Sequence, residues 1–153
     1  MANTYSQIYI HAIFATKGRH NLIQDEWESV LYAYIGGIIN NLGCKTIIVN
    51  GYLNHVHTFF ELKPSMRLSD IIRDVKNNSS KFLNEKGYSL GRFEWQEGFG
   101  SFSYSYSQIE NVYNYILKQR EHHKVKTFRE EYLNFLKKFN VPYNEKYLFD
   151  FGD

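Results

Sequence analysis

The stretch GYLNHVHTFFEL, residues 51–62, sets His55 and His57 two positions apart inside a run of β-branched and aromatic residues. On a strand, side chains at i and i+2 leave the same face about 6.6 Å apart, so two imidazoles can converge on one ion. The same spacing suits two hydrogen-bonded histidines on a half-buried face. No Cys or His pair follows at zinc-like spacing, so spacing alone favours that plainer reading. A second chemistry-bearing pair lies in IENVYNYILKQR, residues 109–120. On a helical wheel Ile109, Val112, Tyr113, Ile116 and Arg120 cluster as a packing stripe, which places Tyr113 in the core. Tyr115 and Gln119 lie one turn apart on its flank and present a phenol and an amide oxygen together. A tyrosine on a helix flank is ordinarily a packing residue, so this pair acquires meaning only if it meets the histidine strand.

The elements that must position these groups are legible from periodicity. Residues 5–16 are apolar on both faces of a strand, which predicts a central position in a sheet. Asp25 and Glu28 have the spacing of a capping box, opening a helix whose face is Trp27, Val30, Leu31, Tyr34, Ile35, Ile38 and Leu42, with Gly43 at its end. Residues 44–53 and 55–62 read as two antiparallel strands joined by a turn over Asn50 to Asn54, and Pro64 closes the second. A second helix buries Leu68, Ile71, Ile72, Val75, Ser79 and Phe82 and ends at Gly87. FEWQEGFGSFSYSYS, 93–107, alternates serine with Phe102, Tyr104 and Tyr106 as a strand with one aromatic face, bent or bulged at Gly98 and Gly100. Ser107 with Glu110 opens a third helix through about His123, and Thr127 with Glu130 a fourth through about Phe139. The tail from Asn140 is expected to pack back on the domain or on a partner.

The order β-α-β-β-α-β is the split βαβ of an α+β, ferredoxin-like fold: an antiparallel sheet with helices on one face, plus C-terminal helices that carry the tyrosine. With 153 residues and 43% hydrophobic composition, one domain over 1–153 is expected, with a core at 5–123 and a helical extension at 124–153. A net charge of +2 permits a phosphate-bearing partner without requiring one. The single cysteine excludes an internal disulfide, and no apolar run reaches membrane-spanning length. No leader-like segment is visible, so a cytoplasmic location is expected. Aromatic residues make up 18%, which suits a thick core, base stacking, or both.

Taken together these residues resemble the single-tyrosine transposases of the HUH superfamily, encoded by the smallest bacterial and archaeal insertion sequences and their repeat-associated relatives. His55, Val56 and His57 match the family's HuH motif, and Tyr115, Ile116 and Gln119 match its YIxxQ. The likeness extends to the basic Thr16–Arg19 segment, to KNNSSKFLNEKG and to FEWQEGFGSFSYS, and so covers most of residues 5–123.

The resemblance implies an enzyme that cuts and rejoins single-stranded DNA through a 5′-phosphotyrosine, with Tyr115 as nucleophile. A free phenol is ionised to only about one part in a thousand at pH 7, so its activation has to be supplied. The family implies a divalent ion, Mg²⁺ or Mn²⁺, held by His55, His57 and Gln119; two imidazoles suit Mn²⁺ better, and no acidic ligand is evident. Lys17, Arg19, Arg73, Lys76, Lys81 and Arg92 are candidate phosphate contacts, each otherwise a solvated surface cation. His122 and His123 are further candidates for contact near the site, while His11 reads as a core residue. Hairpin-forming single strands and a homodimer with a shared site are the implied partners. Two other classes fit parts of the pattern: a domesticated copy that binds structured nucleic acid without cutting it, and a metal-dependent hydrolase of small phosphate esters.

Overall fold

The computed structural model describes residues 4–18 and 22–151. Four strands, β1 (Tyr9–Ala15), β2 (Lys45–Tyr52), β3 (His55–Glu61) and β4 (Gly100–Tyr104), form one antiparallel sheet in the order β2-β3-β1-β4. That order is the ferredoxin-like one, and β1 lies inside the sheet, as its two-sided apolar pattern requires. In the register, Ile13 faces His57 and Ala15 faces His55. Residues of odd number on β1 and β3 therefore share one face and those of even number the other.

The even face carries Ile10, Ala12, Phe14, Val56 and Phe60, and packs against α1 (Glu28–Asn41) and α2 (Leu68–Lys86) through Leu31, Ile35, Ile39, Ile71, Ile72 and Val75. Gly87, at φ 67°, caps α2 in the left-handed conformation. The odd face is covered by α3 (Ile109–Leu117), α4 (Gln119–His122), α5 (Phe128–Lys138) and the tail, whose Phe149 is buried against Phe128 and Tyr132. The capping box of Thr127 and Glu130 is present at α5.

Several sequence expectations are corrected. Asp25 does not cap α1, which begins after Trp27 without a side-chain cap; Asp25 and Glu28 instead both accept hydrogen bonds from Arg120, at 2.8 and 2.9 Å. Ser107 does not cap α3 either, because residues Tyr106–Gln108 form a 3₁₀ turn and the Ser107 hydroxyl pairs with that of Ser105. The expected single helix to His123 breaks at Lys118. There Asn50 of β2 donates to the carbonyls of Ile116 and Leu117, at 2.9 and 3.2 Å, satisfying acceptors that a continuing helix would have used. Tyr113 is 38% exposed rather than buried, since only Val112 and Ile116 of this helix are buried against the sheet. The aromatic segment 93–107 is strand only over Gly100–Tyr104, after a single bridge between Trp95 and Thr16 and a turn at Gly98, φ 84°.

Candidate active site

His55 and His57 are fully buried on the odd face; α5 lies across them, with the Phe128 ring stacked on His55 at 3.9 Å. The outer nitrogen of each ring points at a carboxylate that the sequence reading missed. Glu131 Oε1 lies 3.1 Å from His57 Nε2 and 3.3 Å from His55 Nε2, and the donors of these three residues lie within 4.8 Å of one another. The signal for Glu131 is present in the sequence. In FREEYLNF the apolar face of α5 runs through Phe128, Tyr132 and Phe135, and an acidic residue at position 131 occupies that same face.

The inner nitrogens are held from behind. His55 Nδ1 is 2.9 Å from Asn54 Oδ1, which fixes the orientation of the ring. His57 Nδ1 is 2.7 Å from His11 Nε2, so the buried His11 orients the second ring. Two imidazoles and a carboxylate presented in this way are a donor set that fits a divalent transition or alkaline-earth ion.

The tyrosine helix arrives at the same point. Tyr115 donates its hydroxyl proton to Glu131 Oε2, and Gln119, buried at the start of α4, donates to that oxygen at 2.9 Å while its Oε1 stands 3.0 Å from His55 Nε2. Tyr115, Gln119, His55 and His57 thus meet within one chain although α3 and α4 are separate helices. Burial pushes the Tyr115 phenol well above its ordinary range, and the charge and hydrogen bond of Glu131 push it further, with Gln119 working in the opposite direction. Burial alone would raise Glu131, but His57 and hydrogen bonds from His123, His55 and His57 outweigh it, and the carboxyl is held far below the usual range. Burial lowers His55 to about 4, against the pull of Glu131, and holds His11 well below the ordinary imidazole value. A cavity of about 530 Å³ opens on Tyr115 and Glu131. His122 lines it, its ring stacked on Tyr115 at 4.5 Å and its Nε2 buried without a partner among the described residues.

The basic candidates are placed elsewhere. Arg73, Lys76 and Lys81 are on α2, on the opposite side of the sheet. Arg73 pairs with Asp70 and Asp74 of its own helix. Lys76 donates to the carbonyls of Gln96 and Gly98, and burial lowers it to about 8. Lys81 and Arg92 border one surface cavity, and Arg92 and Lys17 both approach Glu94. Arg19 lies outside the described residues.

Residues 4–119 match the model of the family described as IS200-like transposases. The chain belongs to that family. The match ends at Gln119, so the tyrosine helix of this transposase lies within it while His123 and Glu131 lie beyond it. Two solved structures share the fold. A protein described as a transposase from Deinococcus radiodurans R1 is similar with a TM-score of 0.61 at 19% identity, covering 78% of this chain and 95% of its own. A REP-associated tyrosine transposase bound to a REP hairpin has a TM-score of 0.58 at 15% identity, covering 100% and 93%. No curated protein matches the chain by sequence. Among the described residues no helix is long and apolar enough to cross a membrane.

Proposed function

We propose that this transposase cleaves and rejoins single-stranded DNA through a 5′-phosphotyrosine at Tyr115, in a reaction that requires a divalent ion. The observation that carries the reading is the convergence of the Tyr115 hydroxyl with Glu131, Gln119, His55 and His57 at one buried point beside an open cavity. In the resting arrangement the phenol stays protonated, because burial and the carboxylate both oppose its ionisation. Attack on the scissile phosphorus joins the Tyr115 oxygen to the 5′ phosphate and breaks the bond to the 3′ oxygen. The phenol proton leaves towards Glu131 Oε2, its present acceptor, and the 3′ oxygen becomes a hydroxyl by taking a proton from water. Rejoining reverses these steps, so bond energy is conserved in the phosphotyrosine. His55, His57 and Glu131, with Gln119 beside them, would hold Mg²⁺ or Mn²⁺, which when bound supplies positive charge to polarise a phosphate oxygen. His122, unpartnered beside the tyrosine, is positioned to donate to a phosphate oxygen entering the cavity.

The substrate we propose is a hairpin-bearing single strand, the reading favoured by the hairpin-bound structural relative and by the family. Lys17, Arg19, Lys81 and Arg92 are the proposed phosphate contacts away from the site, with Arg73 and Lys76 secondary because both are engaged within the fold. A cytoplasmic homodimer completes the proposal. The deciding experiment incubates the protein with single-stranded hairpin DNA and Mn²⁺ or Mg²⁺ and resolves the products under denaturing conditions. A covalent protein–DNA adduct and a free 3′ hydroxyl are expected. Tight hairpin binding with no adduct would replace this reading with that of a non-cutting binder, and equal cutting of paired duplex would overturn it.

A further inference from the structure

The cavity of about 530 Å³ beside Tyr115 is walled by two helix faces that carry more than the tyrosine and its carboxylate. On α3, Asn111 stands one turn before Tyr115 and shares its face. On α5, Asn134 and Lys138 follow Glu131 at the three- and seven-residue spacings of one face. Asparagine is a poor helix former, and neither of these two caps a helix. The Asn134 amide has no partner among the described residues. Asn111 Nδ2 reaches only Gln108 Oε1, at 3.5 Å, which leaves Asn111 Oδ1 and Gln108 Nε2 unengaged. Unused amide donors and acceptors thus line the same cavity as the unpartnered Nε2 of His122.

The rest of the lining is aromatic, apolar or basic. Tyr104 and Phe135 supply rings, and Lys126 and Lys138 supply cations. Glu131 is the one acidic group on it among the described residues, and both of its oxygens are taken, Oε1 by His57 and Oε2 by Gln119 and Tyr115. Charge therefore suits a phosphate ester, the rings a planar heterocycle, and the amides the edge of that heterocycle. The volume is that of a small-molecule site, which admits one nucleotide and not a duplex. Arg73, Lys76 and Lys81 lie across the sheet on α2, so the nucleotide at the cut is left to the residues of this cavity. In an in-line displacement the 3′ oxygen departs on the far side of phosphorus from the phenol, and the nucleotide on the near side is the one retained through its 5′ phosphate. We infer that the cavity is a reading pocket for that single unstacked nucleotide, and that Asn134 with Asn111 selects adenine there. The inference rests on the phosphotyrosine reading above and adds to it a base preference carried by the protein. A side-chain amide sets one donor beside one acceptor; adenine complements that pair on both of its edges, N6 with N7 and N6 with N1, and its two rings fill more of the cavity than a pyrimidine does.

Two readouts on the full chain test this, and the first needs no cleavage. The nucleotides dAMP, dGMP, dCMP and dTMP, each a base and sugar with the 5′ phosphate that Tyr115 would keep, are titrated while side-chain resonances are followed by nuclear magnetic resonance. We expect dAMP to shift the Asn111 and Asn134 amides and the His122 ring, and to bind at least about fivefold more tightly than dCMP and dTMP, a margin that Asn134→Ala abolishes. The second readout offers hairpin DNA with a randomised single-stranded flank and sequences the strand recovered from the covalent adduct. Adenine should be enriched about tenfold at the first nucleotide after the phosphotyrosine, and Asn134→Ala should flatten that position alone. Urea unfolding confirms that the variant is folded, and a merely structural role for Asn134 would not change which base is chosen. Equal use of the four bases at that nucleotide, preference for another base, or an adenine preference that survives in folded Asn134→Ala would overturn the inference while leaving cleavage standing. Selective dAMP binding at these residues without any adduct would keep the pocket and remove the phosphotyrosine reading. Absence of both would remove both.

Discussion

On one face of the sheet Ile10, Ala12, Phe14, Val56 and Phe60 meet the apolar stripes of α1 and α2. On the other, His11, His55 and His57 alternate in space with Ile13, Ala15 and Phe59 and meet Gln119 and Glu131. Both faces are equally buried, so burial does not distinguish them; what differs is the kind of complementarity. The first is non-directional, and its stabilisation follows the apolar area removed from water. The second depends on hydrogen bonds and charge, and each buried polar group there is costly unless its partner is in place. One face of the sheet is thus built by apolar packing and the other presents the candidate site, and substitutions should separate them.

The largest contrast is expected within a single helix. Tyr115→Phe removes the proposed nucleophile and should reduce adduct formation on hairpin DNA by on the order of 10³-fold or more, while the half-exposed Tyr113→Phe stays near wild type. An adduct that survives in the first variant and disappears in the second would reverse the assignment. Next comes a pair matched across the sheet. Phe60→Ala opens a cavity in the apolar face and should cost about 3–5 kcal/mol in urea unfolding. His57→Leu takes one hydrogen-bond partner from each of the buried His11 and Glu131, and should cost less, about 1–3 kcal/mol, while eliminating metal-dependent adduct. Comparable unfolding of both variants would mean that the histidine face is structural.

A smaller effect tests how the hairpin holds the site. A Cβ at Gly51 would overlap the backbone carbonyl oxygen of His55, so Gly51→Ala must displace the turn that carries Asn54 and His55. The expected cost is about 1–3 kcal/mol, together with weaker Mn²⁺ binding; calorimetry at wild-type affinity would show that the hairpin tolerates the shift.

The smallest effect belongs to the apolar face. Burial lowers Lys76 to about 8, whereas the unfolded chain holds that proton up to about 10.4. Between those values the unfolded state binds more protons, so the Lys76 contribution to stability rises with pH through the window, and below pH 8 its full penalty is present. Lys76→Met should flatten that rise in urea unfolding at pH 8 and pH 10; an identical slope would remove Lys76 from the account.

Much of this was readable from local pattern. Period-2 and period-3.6 repeats located β1, the β2–β3 hairpin, α2 and the α5 capping box, because those elements are set by which side chains a short segment must bury. The HuH and YIxxQ spacings picked out His55, His57, Tyr115 and Gln119, since neighbours on one strand or one helical turn share a face whatever the rest of the chain does. Cap spacing was less reliable. Asp25 and Ser107 each found a nearer competitor, the first in Arg120 from 95 positions away and the second in Ser105.

Tertiary structure alone decided which neighbours those side chains meet. That the two histidines lie beneath α5, with Phe128 on His55, and that Tyr113 turns outward while Tyr115 turns in, follow from how α5 and α3 lie on the sheet. Glu131 joins the site from 74 positions beyond His57, and a contact of that separation leaves no periodic trace in the chain. The sequence determined which groups are capable of the chemistry, because residue type fixes donors, acceptors and nucleophile. The fold determined that they act as one set, because the burial that favours hydrogen bonds and charge pairing arises only when distant segments close over the sheet.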